Sequence, residues 1–103
     1  MVYLIELLIP LAEDAAADTE LPEVTEALKA LLTERFGGVT VHARGSADGL
    51  WARGGDVVKD RVILFEVMAQ DLDRVWWAAL RRQLEHDLHQ DEIMIRCHPI
   101  ERL

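Results

Sequence analysis

The chain has 103 residues, half of them hydrophobic, and a formal net charge of −8 at pH 7. This length predicts one domain over residues 1–103, with a core large enough for the chain to fold without disulfide bonds. The acidic balance disfavours a nucleic-acid partner because it repels phosphate backbones, and no stretch of ~20 apolar residues predicts a membrane span.

The first predicted element is a β-strand from about Val2 to Ile9, which ends at Pro10. Successive side chains of a strand point to opposite faces, so alternate residues form a buried face. Those residues are Tyr3, Ile5, Leu7 and Ile9. Glu6 in the middle of the run, with no basic residues before it, predicts a core strand rather than a signal peptide. The acidic, alanine-rich segment 13–18 that follows lacks a clear period and predicts a solvated loop.

A helix is predicted next, with Asp18 or Thr19 as the N-cap and Pro22 in the first turn. Gly37 and Gly38 are expected to end it, because glycine readily takes the left-handed conformation after a helix. The apolar residues at helical spacing are Leu21, Val24, Leu28, Leu31, Leu32 and Phe36.

The second strand is predicted from about Gly38 to Arg44, before a glycine-rich segment. That segment, Gly45–Asp60, is the longest predicted irregular region. Within it, residues 53–56 predict the turn of a small hairpin. Trp51 in the same segment predicts either a lid over apolar surface or a platform on which a ligand stacks.

The remaining pattern predicts a third strand, a second helix and a fourth strand. Trp76 is expected in the apolar stripe of the helix and Trp77 on its flank. Cys97, the single cysteine, is expected at an inward strand position as a buried, unreactive thiol. The approximate bounds are Arg61 to Ala69, Asp71 (as N-cap) to Leu88, and Glu92 to His98 before Pro99.

The order βαββαβ predicts the architecture. With right-handed crossovers and short connections, this order most simply gives a ferredoxin-like α+β sandwich. A four-stranded antiparallel sheet then has strands 1 and 3 in its centre and strands 2 and 4 at its edges. Both helices cover one face of that sheet.

The opposite face of the sheet carries an unexpected mixture. A face open to water should be mostly polar. Here the central strands place six apolar side chains around Glu6 and Glu66, which predicts that something covers the surface. A second copy in a homodimer is preferred, and the alternatives are the Gly45–Asp60 segment folded back or a ligand. The six are Val2, Leu4, Leu8, Val62, Leu64 and Met68.

Charged residues on this face predict a candidate site. Glu6 is expected beside Arg96, and Glu66 beside Arg44 and His42, as cross-strand ion pairs. Alternatively, the arginines would hold a small anionic or polar ligand by two-pronged hydrogen bonds. The ligand-site hypothesis comprises Glu6, Arg44, Trp51, Glu66 and Arg96.

Other motifs indicate no specific chemistry. His86 and His89 are three apart on the second helix, but no third metal ligand is fixed by spacing, so surface histidines and no metal are expected. The glycines match neither the P-loop nor the dinucleotide fingerprint, and no cofactor is predicted. No catalytic serine triad or metalloprotease motif is recognisable.

Several short motifs resemble a known kind of protein. They are Phe36-Gly37-Gly38-Val39-Thr40, Gly49-Leu50-Trp51, Gly55, Asp60 and the run from Val62 to Val67. With them, most of the chain resembles small bacterial proteins of similar length that have no assigned activity. It also faintly resembles a secreted family of unknown function. The resemblance implies one compact α+β domain and supplies no catalytic residues.

Together these features predict a small cytoplasmic, dimeric module that binds a ligand or another protein. The alternative is a small enzyme of the dimeric α+β barrel type, in which Glu6 or Glu66 is the general base for a small polar substrate. The expected partners are a second copy, through the outer sheet face, and a small anionic or polar ligand.

Overall fold

The computed structural model describes the backbone of residues 1–10, 15–53 and 56–103, and the side chains of residues 1–10, 22–42 and 62–103. The described sheet is antiparallel in the order β2-β3-β1-β4, so β1 and β3 are central. This confirms the predicted ferredoxin-like α+β fold. The elements are β1 (Val2–Pro10), α1 (Ala15–Phe36), β2 (Thr40–Arg53), β3 (Asp56–Ala69), α2 (Arg74–Asp87) and β4 (Met94–Ile100).

The core lies between the sheet and the two helices. As predicted, odd-numbered side chains of the central strands face the helices, and Ile5, Leu7 and Phe65 are almost completely buried. The helices close the core with apolar side chains at helical spacing. The same buried cluster contains Ile9, Leu28, Leu32, Val67, Ala69, Trp77, Leu84, Leu88 and Ile93. Neither helix, over its described residues, is long and apolar enough to cross a membrane.

Helix α1 begins earlier than predicted. It starts at Ala15 rather than at Asp18 or Thr19, because the alanines of the expected connector are strong helix formers. Pro22 therefore lies inside the helix rather than in its first turn. Gly37 ends α1 as predicted, with a φ of 83° that a side chain would disfavour.

Helix α2 corrects two predictions. Its N-cap is Asp73 rather than Asp71, and the Asp73 Oδ1 accepts a hydrogen bond from the Trp76 amide at 3.1 Å. Trp77, predicted on the flank, is in the core and stacks on Phe36 with ring centroids 5.3 Å apart. Trp77 shares one face of the helix with Leu84 and Leu88, whereas Trp76 packs edge-on beside it, partly buried.

The glycine-rich segment extends two strands rather than forming the predicted loop. β2 continues to Arg53, which pairs with Asp56 at the start of β3, so the predicted hairpin is present. Residues 54 and 55 of its turn lie outside the described residues. Between Arg44 and Gly49, four residues of β2 face one residue of β3, which is a bulge. Such a bulge absorbs the extra residues while pairing continues beyond it.

Strand β4 also differs from prediction. It continues through Pro99, which lies opposite Tyr3, because an edge strand tolerates a residue without an amide hydrogen. Cys97 is exposed rather than buried. On the helix-facing side, burial decreases along the chain from Ile93 through Ile95 to Cys97, so the thiol lies beyond the helix-covered part of the strand.

Adjacent leucines of α1 provide a matched test of the core. Leu32 has no exposed surface and Leu31 is 40% exposed. Leu32→Ala is expected to lower the free energy of unfolding by about 2–5 kcal/mol, because it removes buried contacts and leaves a cavity. Leu31→Ala is expected to change it by about 0.5 kcal/mol or less. Urea denaturation of both variants measures the difference, and equal losses would contradict the assigned helix face.

Candidate functional site

A band of acidic and basic side chains, here named the charged band, crosses the outer face of the sheet. It consists of Glu6, Glu66, Arg96, His42 and His98. The register places Glu6 of β1 directly opposite Glu66 of β3 on one side and Arg96 of β4 on the other. His42 and His98 lie on the two edge strands. All five occupy even-numbered positions, so their side chains share the face away from the helices.

Each carboxylate of the charged band has a basic neighbour. The Arg96 Nε donates to Glu6 Oε1 at 3.3 Å, and His98 Nδ1 is 4.0 Å from the same oxygen. The His42 Nε2 lies 3.3 Å from Glu66 Oε1. The predicted pairs of Glu6 with Arg96 and of Glu66 with His42 are therefore present. Because the basic partners are exposed, each pair contributes only about 0–1 kcal/mol.

Apolar side chains flank the charged band on both sides. Leu4 and Met68 pair on one side, and Leu8 pairs with Leu64 and Met94 on the other. Met68 is 48% exposed and Met94 is 51% exposed, whereas Leu64 is 9% exposed and Leu4 and Leu8 are partly buried. The uncovered apolar surface of this face is therefore mainly that of the two methionines. This outer face combines exposed methionines with a polar centre, which is typical of a contact surface.

The structure brings together part of the predicted ligand site. Glu6, Glu66 and Arg96 are neighbours in one row. The backbone of Arg44 lies opposite Val62, and that of Trp51 lies opposite Val58, but both side chains are outside the described residues. Val58 precedes Glu66 by eight residues, which is roughly 26 Å along an extended strand. Trp51 is thus in a strand, distant along the ladder from the charged band.

A half-open depression lies beside Glu66 at one end of the outer face. Its volume is about 480 Å³. Leu4 and Met68 form its apolar side, and Thr40 and the backbone after α1 form its rim. The dimensions suit a small ligand, and Glu66 would accept hydrogen bonds from it.

His86 lies on α2, whereas His89, predicted on the same helix, follows its end, and the two do not form a metal site in the described part of the chain. His86 and His89 line a shallow depression of about 340 Å³ with Glu23, Val24 and Asp87. Both histidines are exposed, as predicted. No group of three or more described histidine, cysteine or acidic side chains is arranged to hold a metal ion.

An aromatic cluster at the same end of the sheet, where α1 ends and α2 begins, was missed by the sequence reasoning. The Arg35 guanidinium lies 4.2 Å from the ring centroid of Trp76, and the Phe36 ring contacts both Trp76 and Trp77. A cleft of about 680 Å³ adjoins this cluster. The signal was available in the topology, because βαββαβ places the end of the first helix beside the start of the second.

Comparison with known proteins supports the fold. No family model and no curated protein sequence matches the chain. Among solved structures, the chain is similar to the divalent cation tolerance protein (Cut A1) from Thermus thermophilus, with a TM-score of 0.60 and 17% sequence identity. The match covers 99% of this chain and 86% of the other. At this identity the likeness shows a shared fold alone.

The ion pair between Glu6 and Arg96 is testable by a double-mutant cycle. Glu6→Gln and Arg96→Gln, alone and combined, are expected to show a coupling energy of about 0.2–1 kcal/mol in urea denaturation. Arg82 lies on the exposed side of α2, so a parallel cycle of Glu6→Gln with Arg82→Gln should show none. Equal coupling in the two cycles would contradict a specific pair.

Proposed function

We propose that this chain is a binding module that forms a homodimer through the outer face of its sheet. In this proposal, two copies use the same surface, with the charged band in the centre of the contact. Residues 1–103 act as one domain. A small polar ligand that donates hydrogen bonds to Glu66 binds in the depression beside it, which the second copy covers. The site residues are Glu6, Glu66 and Arg96, with Arg44 retained as a predicted contributor. Trp51 lies too far along the ladder to join them within one copy.

One observation carries the proposal. Met68 and Met94 are about half exposed on the outer face of the sheet, whereas the opposite face is covered by the two helices. Burying apolar surface stabilises an assembly by about 25 cal/mol per Å² before the costs of association. A second copy is the favoured occupant because the charged band contains both signs, so the surface is able to complement itself.

The charges of the band oppose assembly as well as orient it. Glu6 and Glu66 face each other with the same charge, and a covering copy would remove water from both. The neighbouring Arg96, His42 and His98 offset this cost only in part, because they stand at the edges. The apolar flanks supply the attraction, and the band selects the orientation in which opposite charges meet.

The second candidate function is a small enzyme of the dimeric α+β barrel type, and the depression beside Glu66 favours it. A carboxylate in a cavity of this size is able to act as a general base on a small polar substrate. Two features place it second. Glu66 already has His42 as a partner, and the depression is open to solvent rather than closed around a reacting group.

The name of the structural neighbour raises divalent cations as candidate ligands. Within the described residues, no group of three or more histidine, cysteine or acidic side chains is arranged to hold a metal ion, and Glu6 is hydrogen-bonded to Arg96. The proposal therefore takes a small polar ligand rather than a divalent cation.

The family and setting of the chain belong to the same proposal. The motifs around Phe36-Gly37-Gly38 and Gly49-Leu50-Trp51 support membership of a small bacterial family without assigned activity. A single cysteine that is not paired within the chain is typical of cytoplasmic proteins, and we propose that setting.

Charge placed on an apolar flank tests the proposed contact. Met94→Glu is expected to shift the chain from dimer to monomer by tenfold or more in dissociation constant, about 1.4 kcal/mol, because the contact would bury an unpaired carboxylate. Leu31→Glu, which adds the same charge at a 40%-exposed leucine of α1, is the matched control. Sedimentation equilibrium measures both. Equal behaviour of the two variants would reject the outer face as the contact.

The charged band has a separate test. Glu66→Gln removes one of two opposed carboxylates, and we expect it to favour the dimer relative to Glu34→Gln, an exposed site on α1 with the same change in net charge. Sedimentation equilibrium at a common ionic strength compares them. If Glu66→Gln changes neither assembly nor ligand binding, the site assignment is wrong.

A further inference from the structure

A second concavity lies at the end of the sheet where β1 begins and β3 ends. Its volume is about 680 Å³, which is within the range of small-molecule sites. The end of α1, the start of α2 and the residues after β4 also contribute to its walls. It contains no residue of the charged band, but it adjoins the depression beside Glu66, and Phe36 and Met68 line both.

Two acidic and two basic side chains line the cleft. One of each, Asp73 and Arg35, already makes contacts within the fold. Asp73 caps α2 through Oδ1 and lies 3.7 Å from the Arg35 guanidinium through Oδ2. Arg35 in turn stacks on Trp76. Both groups are thereby held in place by the fold. Arg102 and Asp71 remain, and neither has an ion-pair partner within the residues that the structure describes.

The rest of the lining is apolar or neutral. Val2, Phe36 and Met68 contribute apolar surface to the lining, and the buried Trp77 contributes aromatic surface. Gln70 adds an amide that both donates and accepts hydrogen bonds. An apolar wall beside one unpaired cation and one unpaired anion matches a ligand with an apolar body and both charges.

We propose that this cleft binds a small zwitterion of the α-amino-acid class with an apolar side chain. Arg102 receives the carboxylate by charge-assisted hydrogen bonds, and Asp71 accepts hydrogen bonds from the ammonium group. The side chain packs on Val2, Phe36 and Met68. The net charge of the free pair is zero, so a ligand carrying only one charge leaves the opposite group of the cleft unmatched.

The test is isothermal titration of the full chain with three probes of one shape. L-leucine has both charged groups, 4-methylpentanoate lacks the ammonium group, and 3-methylbutylamine lacks the carboxylate. L-leucine is expected to bind about tenfold or more tightly than either analogue. Each analogue lacks one charge-assisted hydrogen bond, and losing such a bond weakens binding by about this factor. Binding of 4-methylpentanoate as tight as that of L-leucine would overturn the zwitterion, and so would the absence of L-leucine binding.

Matched variants connect the binding to the two residues. Arg102→Gln should lower the affinity for L-leucine to that of the unmodified chain for 3-methylbutylamine. Asp71→Asn should lower it to that of the unmodified chain for 4-methylpentanoate. Arg82→Gln and Asp91→Asn, both at exposed positions outside the cleft, should change affinity by about twofold or less. All four sites are exposed, so folding is expected to be kept, and circular dichroism checks it. Equal effects of cleft and control variants would overturn the site.

Discussion

The register between β1 and β3 is the constraint on which the rest of the structure depends. It pairs Ile5 with Val67 on the helix side and Glu6 with Glu66 on the outer side. A slip of β1 by one residue would turn Glu6 into the core and Ile5 out to solvent, while the side chains of β3 kept their faces. Burying an unpaired carboxylate costs several kcal/mol, which disfavours such a slip. The charged band and its apolar flanks follow from that pairing together with the position of β4.

The ion-paired residues and the methionines of the outer face differ in what they contribute. The ion pairs are partly exposed and contribute little to stability. In the proposed homodimer their role is to select the orientation, because opposite charges across a contact favour one orientation and disfavour others. In that proposal the half-exposed Met68 and Met94 supply the apolar area and adapt to an imperfect surface, since methionine is flexible and polarisable.

Much of the fold was predictable because strand alternation reports directly which side chain faces which way. The same alternation and the strand order together predicted the neighbours Glu6 and Arg96. Cys97 escaped prediction because alternation gives the face of a residue but not how far a helix extends over it. Trp51 escaped because a glycine-rich composition suggested a loop, whereas pairing with β3 extended the strand.

The cleft at the sheet end was not predictable from local patterns. Arg35, Asp73 and Arg102 are far apart in sequence and meet only through the packing of α1, α2 and the end of β4. Which of Trp76 and Trp77 is the more buried was unpredictable for the same reason. Both positions border the apolar stripe of α2, and Trp77 is the one that stacks on Phe36.

The molar mass of the unmodified chain in solution tests the central claim most directly. Light scattering after gel filtration, run at two concentrations, gives this mass without reference to shape. Assembly through the outer face predicts a mass near twice the chain mass of 11.7 kDa, falling towards the chain mass on dilution. A mass of 11.7 kDa at both concentrations would contradict the homodimer and leave the exposed methionines to another partner.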